Sequence, residues 1–419
     1  MKSVFRFLVT QILAAKAKRQ LKRHRSQVIA VTGSIGKTST KEAIYHILSK
    51  HFKTHHSPKG FNTELGMSLA ILQEEASGFS SPKVWLGILR RAFEKNKARY
   101  QKIVLEMGAD KAGDLKRLVA IAKPDIGVVT NVSPVHLELG QFKDLEDIRT
   151  EKNSMIRDMS KDGIAILNFD DPLVKTMETK ASILSYGTGG DATVRASDIE
   201  ITNKHVKFRV TYKTESAEFT VPVLGRFQIY TLLPAIAVAV ALNLSLKECV
   251  AALRDFQLPN GRMNPLRGIH HSTIIDSSYN ASPNSVARAI ELLGELKAER
   301  KIAALGTMNE LGERTKEAHL AMGANAAKVA TELVAVGQEA AVIKQGAVEA
   351  GMPETNVHTF FSSEEAGAFL KDFLLPNDLV LVKGSQNRVR MEHLVKMIME
   401  TPELASQLLC RQDKAWEKI

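Results

Sequence analysis

Four short apolar runs, each leading into a polar or glycine loop and then a helix-like pattern, limit what this chain can fold into more than any other feature. They are QVIAVTG (27–33), KIVLEMG (102–108), IGVVTNV (126–132) and GIAILNFDD (163–171). Continuous apolar strands alternating with helices require a parallel sheet covered on both faces, hence an α/β fold. From about 192 to 224 the pattern changes. TVRASDIEITNKHVKFRVTY and AEFTVPVLG alternate apolar with polar residues and read as antiparallel strands. LPNGRMNPLRG (258–268), rich in proline, glycine and asparagine, marks a break. After it the α/β pattern restarts in STIIDSS, KIAALGTM, ELVAVG and DLVLVKGS. The expected organisation is one α/β domain over 27–262 and a second over 265–419, preceded by a separate segment, 1–26. No internal repeat interrupts it.

The net charge of +11 is concentrated in that first segment. Lys2, Arg6, Lys16, Lys18, Arg19, Lys22, Arg23 and Arg25 stand there with no acid, leaving +3 for everything else. The body therefore presents no nucleic-acid-binding face. Val4, Phe5, Leu8, Ile12 and Leu13 are expected on one helical face. Arg6 interrupts the apolar run, which argues against a secretory signal. Two readings stay open: a helix lying on a membrane surface, and a helix docked on its own protein. Leu232 to Leu244 is too short for a span and holds Pro234, so it reads as a buried helix. Two cysteines, Cys249 and Cys410, suit a reducing compartment and exclude a disulfide framework or a cysteine-rich metal site.

VIAVTGSIGKTSTKEAI (28–44) places Gly33, Ser34, Gly36, Lys37, Thr38 and Ser39 between a strand and a helix. Glycines there let backbone N–H groups turn toward an anion, the helix N-terminus attracts it, Lys37 neutralises phosphate and Thr38 can reach Mg²⁺. The common phosphate loop separates its glycines by five positions. Here Gly36 follows Gly33 by three, so a plain strand–turn–helix without ligand remains the competing reading.

The shorter pattern, G-x-x-G-K-[ST]-[ST] after an apolar strand, resembles the loop of the Mur ligase family, which also includes folylpolyglutamate synthases. The resemblance continues in order along the chain. GFNTELGMSLAIL (60–72), VLEMGADKAGDL (104–115), PDIGVVTNVSPVHLELG (124–140), EDIRTEKNSMI (146–156), IIDSSYNASPNSV (274–286), ALGTMNELGE (304–313), HLAMG (319–323) and LVKGSQNRVRMEHLV (381–395) look like segments of the D-alanyl-D-alanine-adding branch. The family implies a central P-loop ATPase-type domain with a mostly parallel sheet plus a C-terminal Rossmann-like α/β domain. It also implies an ATP- and Mg²⁺-dependent ligase joining a peptide-type acceptor carboxylate to the amine of an amino acid or dipeptide through an acyl phosphate. Such an enzyme is expected in the cytoplasm, at the inner face of the membrane if segment 1–26 makes peripheral contact, and as a monomer.

Site residues follow from the resemblance one by one. Thr38, Glu106 and His136 would bind Mg²⁺, although a neutral imidazole is an unusual magnesium ligand. Lys152 matches a lysine that is carbamylated in most members, and Lys37, Lys152 and His136 would be the catalytic set. Arg262 would lie near the phosphates and Asn280 would meet the adenine. Taken alone, Glu106 reads as a solvated strand end, His136 as a structural histidine and Lys152 as a surface lysine.

Three departures stand out. The family's usual acid falls on Ser277, leaving Asp276 to take its task. Phe227, Gln228 and Thr231 replace the usual His, Asn and Asn. Only 32 residues precede Gly33, too few for the UDP-holding domain of full-length members, so UDP alone is expected not to bind. Two rivals therefore remain: a ligase for another acceptor, of the polyglutamate or archaeal cell-wall type, and a non-catalytic nucleotide-binding scaffold.

Overall fold

The computed structural model describes residues 2–58, 60–74, 82–93, 98–134, 141–386, 388–412 and 416. Two compact units emerge. The first comprises 1–199, 207–220 and 229–256, and the second 200–206, 221–228 and 257–419.

In the first unit, α1 (Lys2–His24) precedes β1 (Gln27–Thr32), α2 (Lys37–Ser49), β2 (Thr54–His56), α3 (Glu64–Ile71), α4 (Pro82–Ala92), β3 (Lys102–Glu106), α5 (Asp114–Ile121), β4 (Ile126–Val129), α6 (Leu145–Arg157), β5 (Ile164–Asn168), α7 (Pro172–Lys175) and β6 (Ser182–Gly187). Strands β7 (Val194–Ile201), β8 (Val206–Tyr212) and β9 (Glu215–Val221) follow, then α8 (Ile229–Ala241) and α9 (Leu246–Leu253). The nine strands form one sheet in the order β2-β3-β1-β4-β5-β6-β7-β8-β9. Pairing is parallel from β2 through to β7. Four residues join β7 to β8 and two join β8 to β9. Connections that short allow only hairpin neighbours, so this end of the sheet is antiparallel. The four apolar runs of the sequence became β1, β3, β4 and β5, with β1 buried from Val28 onward because helices cover both of its faces. α8 is buried from Leu232 through Val240 despite Pro234, as its composition implied.

The strand order positions the site. From β1 the chain moves to one side, reaching β2 and returning through β3, and then crosses to β4 on the other side. That reversal opens a crevice at the carboxyl ends of β1, β3 and β4, where open α/β sheets bind ligands.

In the second unit, β10 (Asn264–Arg267), β11 (Thr273–Ser277), α10 (Pro283–Glu295), β12 (Lys301–Gly306), α11 (Thr315–Ala327), β13 (Glu332–Val336), α12 (Ala340–Glu349), β14 (Val357–Phe360), α13 (Ser363–Phe373), β15 (Leu379–Lys383) and α14 (Glu392–Ile398) follow one another. The sheet runs β10-β11-β15-β12-β13-β14, parallel except for the β10 edge. A second reversal lies at the carboxyl ends of β11, β15 and β12.

The amino-terminal helix corrects one expectation. The five apolar residues do not share a face: Leu13 is fully buried, whereas Phe5, Leu8 and Ile12 are exposed. Val4 has no described side chain. The buried side is Val9, Leu13, Ala17 and Leu21, four apart, packed among α3, α4 and α5. α1 is thus part of the first unit's core. Among the described residues, no helix is long and apolar enough to cross a membrane.

Candidate functional site

The turn after β1 is built for close backbone approach. Gly33 has φ +141°, and a β-carbon there would lie 2.0 Å from Thr130 Oγ1. Gly36, in the left-handed region at φ +85°, starts α2. The end of β4 holds the turn from the other side. Asn131 accepts from the Ile35 N–H through Oδ1 at 2.8 Å and from the Ser34 N–H through its carbonyl at 2.9 Å. Thr130 Oγ1 donates to the Ile35 carbonyl at 2.7 Å. Ser34 and Ser133 are joined by a reciprocal pair, Oγ to carbonyl at 3.0 Å and N–H to Oγ at 2.9 Å. Asn131 thus takes the Ser34 and Ile35 N–H groups, and what the turn opens toward a ligand is the N-terminus of α2, which suits an anion.

Three side chains converge beside it. Lys37 folds back so that Nζ donates to the carbonyls of Gly33 (2.8 Å) and Ser34 (3.0 Å). Thr38 Oγ1 donates to Glu106 Oε2 at 2.8 Å. Glu106 closes β3 and is 5% exposed. Its other oxygen accepts from Asn62 Nδ2 at 3.3 Å, and its N–H donates to Ser57 Oγ at 3.1 Å. Glu106 is therefore a held carboxylate, not a solvated strand end. The Thr38 hydroxyl and the Glu106 carboxylate form a buried all-oxygen pair beside the turn, the donor set that Mg²⁺ prefers. His136 lies outside the described residues. Ser39 is buried in the first turn of α2.

Lys152 is 1% exposed, which removes the surface-lysine reading. α6 turns Ile148, Glu151, Lys152, Met155 and Ile156 inward at helical spacing. Its ammonium has little to bind: the Ala109 carbonyl stands 3.5 Å away and the Phe142 ring 5.7 Å away. Burial, then the positive charge of Lys37, pulls its pKa down to about 7, against the opposing pull of Glu151, Asp110 and Asp114. Glu151 is committed elsewhere, accepting the N–H groups of Gly113 (2.8 Å) and Leu115 (2.6 Å) at the start of α5.

In the second unit, β11 delivers Asp276 and Ser277 to the sheet edge. Asp276 is fully buried; Oδ1 accepts the Ser278 N–H at 3.0 Å, and Oδ2 has no hydrogen-bond partner among the described residues. Burial raises its pKa. Ser277 faces Lys383 at the end of β15, whose Nζ donates to Ser277 Oγ (3.2 Å) and to the Asn280 carbonyl (2.8 Å). Lys383 is also pulled down to about 7, by burial and then by Arg262. Asn280 is exposed just before α10. The Arg262 guanidinium lies 4.4 Å from the centre of the Tyr279 ring, a cation–π contact. The loop is braced by Arg411, which donates to the carbonyls of Ser278 and Tyr279 and to Glu392.

Sequence reasoning passed over Asn62, Thr130, Asn131, Lys383 and Arg411. Asn131 and Lys383 had a readable signal, since each stands at the carboxyl end of an apolar run. Arg411 had none, because the loop carbonyls it braces, those of Ser278 and Tyr279, are more than a hundred residues away.

Two family models match the chain: the Mur ligase middle domain over residues 31–239 and the Mur ligase, glutamate ligase domain, over 261–386. The UDP-N-acetylmuramoyl-tripeptide–D-alanyl-D-alanine ligase of Bacillus subtilis (strain 168) is 27% identical over 391 residues, covering 92% of this chain and 79% of that relative. A crystal structure of MurF from Acinetobacter baumannii superposes with a TM-score of 0.78 at 26% identity, covering 93% of this chain and 79% of that one. The MurF ligase from Thermotoga maritima in complex with ADP gives 0.75 at 26% identity, covering 95% and 84%.

Proposed function

We propose, from the premise that this chain belongs to the Mur ligase family, that it joins the free carboxylate of a muramoyl-peptide acceptor to the amine of D-alanyl-D-alanine with consumption of ATP. The relatives named for that reaction support the choice of substrates. The observation that carries the reading is the convergence of Lys37, Thr38 and Glu106 on one strained glycine turn at the sheet's reversal point.

The chemistry has two displacements. An acceptor carboxylate oxygen attacks the γ-phosphorus of ATP, the bond to the β-phosphate oxygen breaks, and ADP leaves. The dipeptide amine then attacks the acyl carbon of the resulting acyl phosphate, the acyl carbon–oxygen bond breaks, and inorganic phosphate leaves as the nitrogen gives up a proton. Negative charge builds on phosphoryl oxygens in both steps, so fixed cations and N–H groups carry the catalysis. Lys37 exchanges its two carbonyl partners for phosphate oxygens, and the N–H groups at the start of α2 hold the chain of phosphates. Thr38 and Glu106 would hold Mg²⁺, which supplies charge neutralisation when bound. His136 is a further candidate ligand by resemblance to the family.

Lys152 is suited to carbamylation. An amine with a pKa near 7 is substantially unprotonated at neutral pH, and only that form adds to carbon dioxide, releasing a proton and leaving a carbamate anion. The product would place an anion near the positive charge of Lys37. In the second unit we assign nucleotide contact to Arg262 and Asn280, and to Asp276 a positioning role through the Ser278 backbone. As an ATP-consuming step, the reaction belongs in the cytoplasm.

The test is ADP formation with muramoyl tripeptides, free and UDP-linked, each with D-alanyl-D-alanine, single amino acids or no amine. ADP release that requires both a muramoyl peptide and the dipeptide is the expected result. Release that follows a different acid–amine pair would reassign the substrates, and none with any pair would make the chain a scaffold.

A further inference from the structure

α1 is covered on one side only. Val9, Leu13, Ala17, Gln20 and Leu21 face inward, and Gln20 Nε2 donates to the Ile71 carbonyl at 2.8 Å. The other side shows Phe5, Leu8 and Ile12, which are 42%, 55% and 45% exposed. Arg19 and Arg23 continue the same stripe, seven and eleven residues beyond Ile12.

The neighbouring helix repeats the arrangement. α4 packs beside α1 and turns Trp85, Ile88 and Ala92 inward. Leu86, Arg90 and the following Phe93 point outward at spacings of four and three, with Leu86 at 69% and Phe93 at 53% exposure. Lys16 Nζ sits 4.8 Å above the Phe93 ring and links the two helices. Twelve large apolar side chains are exposed among the described residues, and six of them (with Phe7) belong to this region. Single exposed apolar residues need no explanation, but a gathered set on adjoining helices does.

The charge pattern says what covers it. Residues 1–26 hold eight basic side chains and no acid. A second copy would bring an identical cationic helix against the first, which like-charge repulsion opposes. An anionic bilayer complements both features at once: apolar side chains enter the acyl boundary while lysines and arginines meet headgroup phosphates. We propose that α1 and α4 form a docking face for the surface of an anionic lipid bilayer. The helices lie on that surface without crossing it, and the inward side of α1 stays in the core.

The experiment is co-sedimentation of the full chain with vesicles of phosphatidylcholine alone and of phosphatidylcholine mixed with phosphatidylglycerol. Partition into the anionic vesicles should exceed that into neutral ones by about tenfold or more and weaken at high salt. Phe5→Ser/Leu8→Ser/Ile12→Ser and, separately, Leu86→Ser/Phe93→Ser should each lower it by about tenfold or more at an unchanged melting temperature. If either set unfolds the chain, Arg19→Gln/Lys22→Gln/Arg23→Gln, at exposed positions, replaces it with the same expectation. Equal partition into neutral vesicles, absence from both, or binding untouched by folded variants would overturn the proposal. So would a dimer in sedimentation velocity that disappears in the apolar variants while vesicles remain unbound, which would give the face to a second copy.

Discussion

Lys37 spends its charge on two carbonyl oxygens of its own loop, so the cation stands where phosphate oxygens would replace them. Lys37→Ala should lower ATP turnover by about 10²-fold or more, because it removes a cation aimed at developing phosphoryl charge. The fold should persist, and a coupled ADP assay beside a thermal melt checks both parts; turnover within a few-fold of wild type would remove the loop from the mechanism. Lys152 leads to a different expectation. Lys152→Ala should be nearly inactive, and millimolar acetate or formate should restore part of the rate by supplying the missing anion. Full activity without added carboxylate would make Lys152 a structural residue, and carbon-13 labelling with bicarbonate reads the carbamate independently of activity. Gly33 is constrained twice, by φ +141° and by the 2.0 Å approach of Thr130 Oγ1 to any β-carbon. Gly33→Ala should destabilise the chain by about 1–3 kcal/mol, measured by denaturant unfolding; a cost near zero would mean that the turn readily takes another path.

At the scale of elements, the ends of β11 and β15 hold a buried lysine whose charge the fold disfavours. Lys383 has its pKa pulled down to about 7, below the value near 10.4 of an unfolded chain. Between those values the unfolded state binds the extra proton, so this lysine's contribution makes stability rise with pH across that window and leaves it flat below. The stability of Lys383→Met relative to wild type should therefore fall as pH increases from 7 to 10, by at most about 1.4 kcal/mol per pH unit. A difference independent of pH would show that the ammonium stays charged in the fold. The same elements show what Ser277 does in this chain: its hydroxyl accepts from Lys383 at the end of β15.

For the whole molecule, ligand binding should appear as stability. ATP with Mg²⁺ at 100 times its dissociation constant should add about 2.7 kcal/mol to the unit that carries the loop. Differential scanning fluorimetry should show an upward shift with wild type and little or none with Lys37→Ala; equal shifts would place the nucleotide elsewhere. Much of this molecule could be read without coordinates. β1, β3, β4 and β5 were legible because buried parallel strands are apolar on both faces, and the turn at Gly33 because only glycine tolerates its backbone. Lys37 was legible as the cation of the turn after β1, whereas Glu106, read alone as a solvated strand end, needed the fold to show it held by Thr38, Asn62 and Ser57. Pattern alone could not tell that Lys152 is buried rather than solvated, since a lysine on a helix face is polar in either case and only packing against Phe142 and α6's neighbours decides. Nor could it divide the apolar residues of α1 between two sides, because the helix carries apolar groups around much of its circumference and the choice of inward stripe belongs to α3, α4 and α5. The local rules of strand, turn and helix were determined by the sequence by itself. Which charges are desolvated, and which apolar residues remain uncovered, was decided only by tertiary structure, because burial depends on neighbours that lie far away along the chain.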